Sequence, residues 1–305
     1  MSIDLLSRCW PDWTFQGYIS EGTSASVYKA VHRGKIGGES AVKCISVPAD
    51  PSRITVLREA GKTEEEIRSA LQEELDRVED ELRIMLALNG RPNIVTVYDY
   101  SVVSKENAPG WDVYIRMELL TPLGTYYRQS PPSTEDVAKL GTDILTALEN
   151  STVGGRQVAH LDIKPENIFV DAQGHYKLGD YGCARILGTT SRGVASCTPA
   201  YAAPELVSAG KYDATSDLCS LGLVMYQYLN GGLLPLMEQD TPEELEEAVG
   251  KRCSGNPFPQ PGTAPLGSVV MRACAHLPEK RFASAAAMKQ AIGDPAHTGP
   301  AGNLR

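Results

Sequence analysis

A chain of 305 residues, 42% hydrophobic and 22% charged, has the composition of a folded globular protein and can bury one large core or two modest lobes. Its net charge of −9 comes without a basic stripe, which argues against nucleic acid as the main partner, because a phosphate backbone is bound by clustered Lys and Arg. Seven scattered cysteines, nowhere spaced C-x-x-C, signal neither a disulfide framework nor a zinc site and fit reduced thiols in the cytoplasm.

The opening MSIDLLSRCWPDW has no basic region followed by an apolar run, and no stretch reaches the roughly eighteen apolar residues of a membrane helix. The segment reads as cytoplasmic, alone or as the cytoplasmic part of a longer membrane-anchored protein, with no membrane contact of its own. Residues 14 to 47 alternate apolar and polar positions around glycine-bearing turns (TFQGYISEGTSASVYKAVHRG, ESAVKCISV), which predicts antiparallel strands. Thr63 and Glu66 form a capping-box pair ahead of Ile67, Leu71, Leu75, Val78, Leu82 and Met85. That spacing predicts one long amphipathic helix ending near Asn89 and Gly90. IVTVYDYSVV and WDVYIRMELL flank a polar segment with Pro109 and Gly110 and read as a hairpin. From Thr134 onward helix-period segments dominate: VAKLGTDILTALEN, the run Leu218 to Leu229 broken by Ser220, Gly222 and Gln227, PEELEEAVGKRC and SVVMRACAHL. The result is a β-rich part followed by a mainly helical one, with a Gly/Pro-rich flexible tail after Gly293.

The strongest chemical signal is HLDIKPENIFV at 160 to 170 followed by LGDYG at 178 to 182. Asp162, Lys164, Asn167 and Asp180 supply what phosphoryl transfer needs: a carboxylate for the hydroxyl proton, a cation for the moving phosphate and oxygen ligands for Mg²⁺. Two adjoining motifs in this order resemble the catalytic loop and the DFG motif of protein kinases, closest to the bacterial eukaryotic-like serine/threonine members.

The resemblance implies an α+β, two-lobed kinase fold, with an N-lobe and N-terminal extension over 1–118, a C-lobe over 119–292 and a flexible tail over 293–305. It implies ATP with Mg²⁺, or Mn²⁺ in its place. Asp162 would orient the substrate hydroxyl, Lys164 stabilise the γ-phosphate, and Asn167 and Asp180 hold the metal. S-A-V-K at 40 to 43 resembles the VAIK strand and places Lys43 on the α/β-phosphates. The partner glutamate, counted seven residues back from Leu88, is Glu81, with Glu74 and Asp80 as alternatives in a shifted register. The glycine-loop pattern falls on Ser20 to Val27, where only Gly22 survives as a phosphate-covering glycine. YIRMELL resembles the interlobe linker: Met117 gates the back pocket, the backbones of Glu118 and Leu120 meet the adenine edge, and Ile19, Val27, Ala41 and Phe169 sandwich the ring. CTPAYAAPE places Thr198 beside the catalytic loop, while Asp217 and Arg281 match scaffold positions, Arg281 pairing with Glu205. These segments and Lys164 favour a protein substrate with a Ser/Thr acceptor over a small molecule or a tyrosine.

Several positions depart from the family pattern. Leu161 replaces the arginine that usually pairs with a phosphate on the activation segment, which implies activity without that phosphate. Thr189, Thr190, Ser191 and Ser196 remain candidate autophosphorylation hydroxyls. Tyr181 replaces the DFG phenylalanine and brings a hydroxyl that needs a partner; it is expected to stack with His160, a packed residue rather than a proton shuttle. Cys219 stands in place of a tryptophan and Cys197 in place of a glycine. Cys183 is either a thiol within reach of an electrophile or an inert packing residue. The eroded glycine loop and Leu161 leave a pseudokinase, a nucleotide-gated binding module, as the alternative to an active enzyme.

Overall fold

A computed structural model describes residues 3–21, 25–34, 37–106, 108–188, 197–262 and 265–293. The chain divides into two compact units, one comprising Met1–Asn89 with Val95–Leu120, the other Gly90–Ile94 with Thr121–Arg305.

In the first unit, helix α1 (Ile3–Cys9) precedes strands β1 (Trp13–Glu21), β2 (Ala25–His32) and β3 (Glu39–Val47). Helices α2 (Ser52–Glu59) and α3 (Glu64–Ala87) follow, then the hairpin β4 (Val97–Ser104) and β5 (Trp111–Met117). The strands form one antiparallel sheet in the order β1-β2-β3-β5-β4. Alternation along β3 divides its side chains between the two faces. Val42 and Cys44 join Phe15, Ala30, Tyr114 and Leu6 of α1 in one buried cluster, against which Trp10 and Trp13 also pack. The WPDW segment thus anchors α1 to the sheet, and Arg116 stacks over the Trp13 ring at 4.5 Å while gripping Asp99 through two hydrogen bonds of 2.9 and 2.8 Å.

Helix α3 begins at the predicted capping box: the Glu66 amide donates to Thr63 Oγ1 and the Thr63 amide to the Glu66 carboxylate. Glu64, Glu65 and Glu66 in its first turn complement the helix dipole. Its buried face is Ile67, Leu71, Leu75, Leu82 and Met85. Helices α1 and α2 were not anticipated. α2 buries only Ile54, so it has no apolar stripe to read, and α1 is a short helix carried by Leu6 against the sheet.

The second unit opens with β6 (Thr121–Pro122), α4 (Leu123–Gln129) and α5 (Thr134–Asn150), followed by β7 (Thr152–Val153) and β8 (Arg156–Ala159). After a 3₁₀ turn at Pro165–Asn167 come β9 (Ile168–Val170), β10 (Tyr176–Leu178) and β11 (Arg185–Ile186), which form two small sheets ordered β10-β9-β6 and β11-β8-β7. Helices α6 (Pro204–Ala209), α7 (Ala214–Leu229), α8 (Pro242–Cys253), α9 (Leu266–Ala273) and α10 (Ala285–Gly293) complete it. α7 is buried all round from Ser216 to Tyr226, which identifies it as the core helix. A side chain at Gly222 would come within 2.9 Å of the Ala273 Cβ, so glycine there permits the close approach of α7 and α9. α10 was also not anticipated; of its residues only Met288 is buried. No helix among the described residues is long and apolar enough to cross a membrane.

Candidate active site

In the first unit the β2-β3-β5 register pairs Val27 with Lys43, Lys43 with Ile115, and Ala41 with Met117. These residues share the face opposite the Val42/Cys44 cluster, because directly opposed partners point to the same side. Lys43 Nζ lies 3.8 Å from Glu81 Oε1, both side chains mostly buried. The two alternatives are engaged elsewhere: Glu74 binds Arg53 at 2.5 Å, and Asp80 pairs with Arg83 at the surface. Ala41 is 6% exposed and Ile19 37%. Gly22 lies outside the described residues. Glu118 is clamped to Thr96 both ways, its amide donating to the Thr96 carbonyl at 3.1 Å and its carboxylate accepting from the Thr96 amide at 2.6 Å. This fixes the chain direction from Met117 toward Leu120.

In the second unit the loop after β8 is set by α7. Asp217 accepts hydrogen bonds from the amides of His160, at 2.7 Å, and Leu161, at 2.8 Å. Burial pushes this carboxyl up, opposed by the two amides. The anchored loop holds Leu161 at φ +65°, a left-handed conformation that is costly for a branched side chain. The Leu161 side chain is 1% exposed, so the position carries packing and no charge.

Around this loop four predicted residues meet. Asp162 Oδ1 accepts from the Thr198 hydroxyl at 2.7 Å and the Thr198 amide at 3.1 Å. Asp162 Oδ2 accepts from Asn167 Nδ2 at 3.0 Å and lies 2.8 Å from Lys164 Nζ. Lys164 Nζ also donates to Thr198 Oγ1 at 2.7 Å, closing a ring of charge-assisted bonds. Asn167 makes its other hydrogen bond through Nδ2 as well, to the Asp162 carbonyl at 2.8 Å. Its Oδ1 is therefore left as an acceptor, and the donor set of Asn167 and Asp180 is hard oxygen, which suits Mg²⁺ when substrate phosphates and water complete the shell. Among the described residues no group of three or more His, Cys, Asp or Glu side chains could hold a metal without such help.

Asp180 is brought to this loop by the β9-β10 hairpin. The Gly179 amide donates to the Asn167 carbonyl at 2.9 Å, and Asp180 follows at φ +59°. His160 is fully buried. Its Nδ1 accepts from the Asp162 amide at 3.3 Å, so Nε2 carries the hydrogen and donates to the Gly179 carbonyl at 3.0 Å. The ring also meets Tyr181 edge-on at 4.7 Å, which is the packing role expected of it. The Tyr181 hydroxyl finds its partner in Ser151, 3.0 Å away at the end of α5. Burial pushes the Tyr181 phenol up. It also pushes the Cys183 thiol up to about 12, reinforced by the charges of Asp162 and Asp180, which disfavours the reactive thiolate and supports the packing role over a reactive one. Phe169 is half-buried on β9. Thr189, Thr190, Ser191 and Ser196 lie outside the described residues.

The segment after Thr198 is tied to the core by an ion pair: Arg281 donates to both Glu205 oxygens at 2.7 Å, and Ser216 Oγ adds a third bond at 2.7 Å. Arg252 was missed. It is 6% exposed on α8 and donates to the Ala200 carbonyl at 2.6 Å. The signal that could have found it is its place one turn beyond Ala248, which is fully buried.

A family model described as the protein kinase domain matches residues 13–291. The chain belongs to the protein kinase family. It is 35% identical over 173 residues to serine/threonine-protein kinase Nek2 of Mus musculus, a match covering 52% of this chain and 37% of that protein. With serine/threonine-protein kinase PknB of Mycobacterium tuberculosis it shares 31% identity over 216 residues, covering 67% of this chain and 33% of the relative. With human serine/threonine-protein kinase MRCK alpha it shares 33% over 177 residues, 54% of this chain and 10% of the relative. The chain thus spans little more than a third, or less, of the curated relatives it matches.

Proposed function

We propose that this kinase domain transfers the γ-phosphoryl group of ATP to Ser/Thr hydroxyls of protein substrates without needing phosphate on its activation segment. The observation that carries the reading is the closed set of Asp162, Lys164, Asn167 and Thr198. In it Asp162 is the acceptor for the substrate hydroxyl's proton, and Lys164 is the cation beside the transferring phosphate. Asn167 and Asp180 would hold Mg²⁺, or Mn²⁺ in its place, and the bound ion would offset the phosphate charge. Lys43, oriented by Glu81, would bind the α/β-phosphates. The adenine contacts would fall to the backbones of Glu118 and Leu120, and the apolar walls to Ile19, Val27, Ala41, Met117 and Phe169, with Gly22 in the covering loop. Most of the rate then comes from positioning and electrostatics rather than covalent chemistry.

Independence from activation-segment phosphate rests on Leu161. An apolar, buried side chain stands where a cation would otherwise receive that phosphate, while Asp217 already fixes the loop through the two backbone amides. Autophosphorylation at Thr189, Thr190, Ser191 or Ser196 would then accompany activity without switching it on. The test is transfer of label from γ-³²P-ATP to a generic basic protein, before and after phosphatase treatment. Retained transfer is expected in both. Loss of nearly all turnover after treatment refutes the phosphate independence, and Mg²⁺-ATP binding with no transfer in either sample establishes the pseudokinase instead.

A further inference from the structure

The second unit holds a cavity of about 190 Å³ away from the phosphoryl-transfer residues. Cys219 and Leu223 of α7, Cys274, Pro204 of α6 and Phe258 give it an apolar lining, into which Arg252 is also built. Arg252 is 6% exposed and its guanidinium keeps its charge at any ordinary pH. Of its five N–H donors, Nη2 is used on the Ala200 carbonyl at 2.6 Å, and Nη1 lies 3.5 Å from the Pro235 carbonyl. Among the described residues no carboxylate lies within ion-pair distance of it. Glu205 is held by Arg281 through two bonds of 2.7 Å. The two buried arginines therefore differ in one respect: Arg281 has its counter-charge within the protein, and Arg252 faces a cavity without one.

A buried cation is stabilised by an opposite charge brought to it. Here that charge must arrive with an apolar body, because, Asn256 and His276 apart, the remaining walls are hydrocarbon, sulfur and ring. Size narrows the class further. A dry cavity of about 150 Å³ takes up benzene, so the space beside Arg252 suits one ring carrying one carboxylate.

We propose that this cavity binds a compact aromatic carboxylate with Arg252 as its counter-ion, and that occupancy is transmitted through Ala200 to Thr198. The link is short. Arg252 holds the Ala200 carbonyl, and the next two residues, Tyr201 and Ala202, both donate their amides to the Thr198 carbonyl at 3.1 and 3.2 Å. Ala202 itself lines the cavity. A carboxylate that draws the guanidinium off Ala200 loosens the turn that sets Thr198 against Asp162 and Lys164. Only this second half rests on the phosphotransfer reading; binding does not.

The experiment titrates benzoate and its neutral counterpart benzyl alcohol into the full chain by calorimetry. Saturable one-to-one binding is expected, with benzoate at least about tenfold tighter, the ratio for ~1.4 kcal/mol. Cys219→Trp, which fills the cavity with the side chain whose place the cysteine takes, is expected to abolish binding while keeping a cooperative melting transition. Should that variant not fold, Met271→Trp at the half-buried rim serves in its place. No saturable heat with benzoate, equal affinity for benzyl alcohol, or undiminished binding in a folded, filled variant overturns the site. Saturating benzoate is further expected to change the peptide phosphorylation rate at least about twofold in the wild type and not in the filled variant; an unchanged wild-type rate overturns the coupling to Thr198.

Discussion

Glu205→Gln keeps the shape of the side chain and removes its charge from a pair in which the Arg281 side chain is fully buried and the glutamate side chain 18% exposed. Breaking one partner of a buried pair costs about 3–5 kcal/mol, because the other charge is left uncompensated. Arg281 retains the carbonyls of Ala275, His276 and Thr215 as acceptors at 2.8, 3.1 and 3.3 Å, which places the cost near the lower end, at about 3 kcal/mol. At roughly 2–4 °C per kcal/mol for a unit of this size, the melting temperature should fall by about 6–12 °C. The double variant Glu205→Leu/Arg281→Met removes both charges and should recover most of the loss; with the single variants Glu205→Leu and Arg281→Met it completes a double-mutant cycle that isolates the coupling. The effect has a definite pH dependence. Burial alone would raise the Glu205 carboxyl, but the bonds from Arg281 and Ser216 outweigh it and hold the group below its ordinary value of 4.5. Its contribution is therefore complete above that value and disappears as pH falls through the folded-state pKa. Wild type and Glu205→Gln should converge in melting temperature under acid. A loss below about 1 kcal/mol at neutral pH, as for an exposed pair, or a gap that widens in acid, would refute the reasoning.

Tyr181→Phe removes a buried hydroxyl while Ser151 keeps its bond to the Ala147 carbonyl at 2.9 Å, so urea unfolding should show a loss of about 0.5–1.5 kcal/mol with phosphotransfer retained. A loss above about 3 kcal/mol would mean that the hydroxyl does more than satisfy its neighbour. Glu81→Ala should lower kcat/KM for ATP by at least about tenfold, because it releases Lys43, whereas Glu74→Ala, which breaks a pair with a partly exposed arginine and a long 3.4 Å bond from the Ala49 amide, should leave turnover unchanged and cost about 1 kcal/mol or less. Equal effects in the two variants would show that the helix register is wrong.

The chemistry-bearing segments were legible because phosphoryl transfer demands charged groups at close spacing, and Asp162, Lys164 and Asn167 stand within six residues of one another. The long helices were legible where one face is apolar, as in α3 and α5. The count back from Leu88 pointed to Glu81 but left Glu74 and Asp80 open, since all three lie on the same helix and only the sheet decides which of them meets Lys43. Leu161 read as a missing cation; that it is held left-handed by Asp217 follows from a contact 56 residues away, which no local pattern encodes. Arg252 is hidden for a related reason. An arginine in the acidic, amphipathic PEELEEAVGKRC reads as solvated, and its burial depends on α8 packing beside Ala200 and Pro235.

Transfer of label from γ-³²P-ATP by Asp162→Asn, set beside its melting curve and its Mg²⁺-ATP binding, bears most directly on the central claim. The substitution retains an oxygen to accept from Thr198 but loses the negative charge shared with Lys164 and Asn167. The account predicts a fold and nucleotide binding close to wild type with turnover reduced by at least about a hundredfold. Near wild-type turnover in this variant would contradict it.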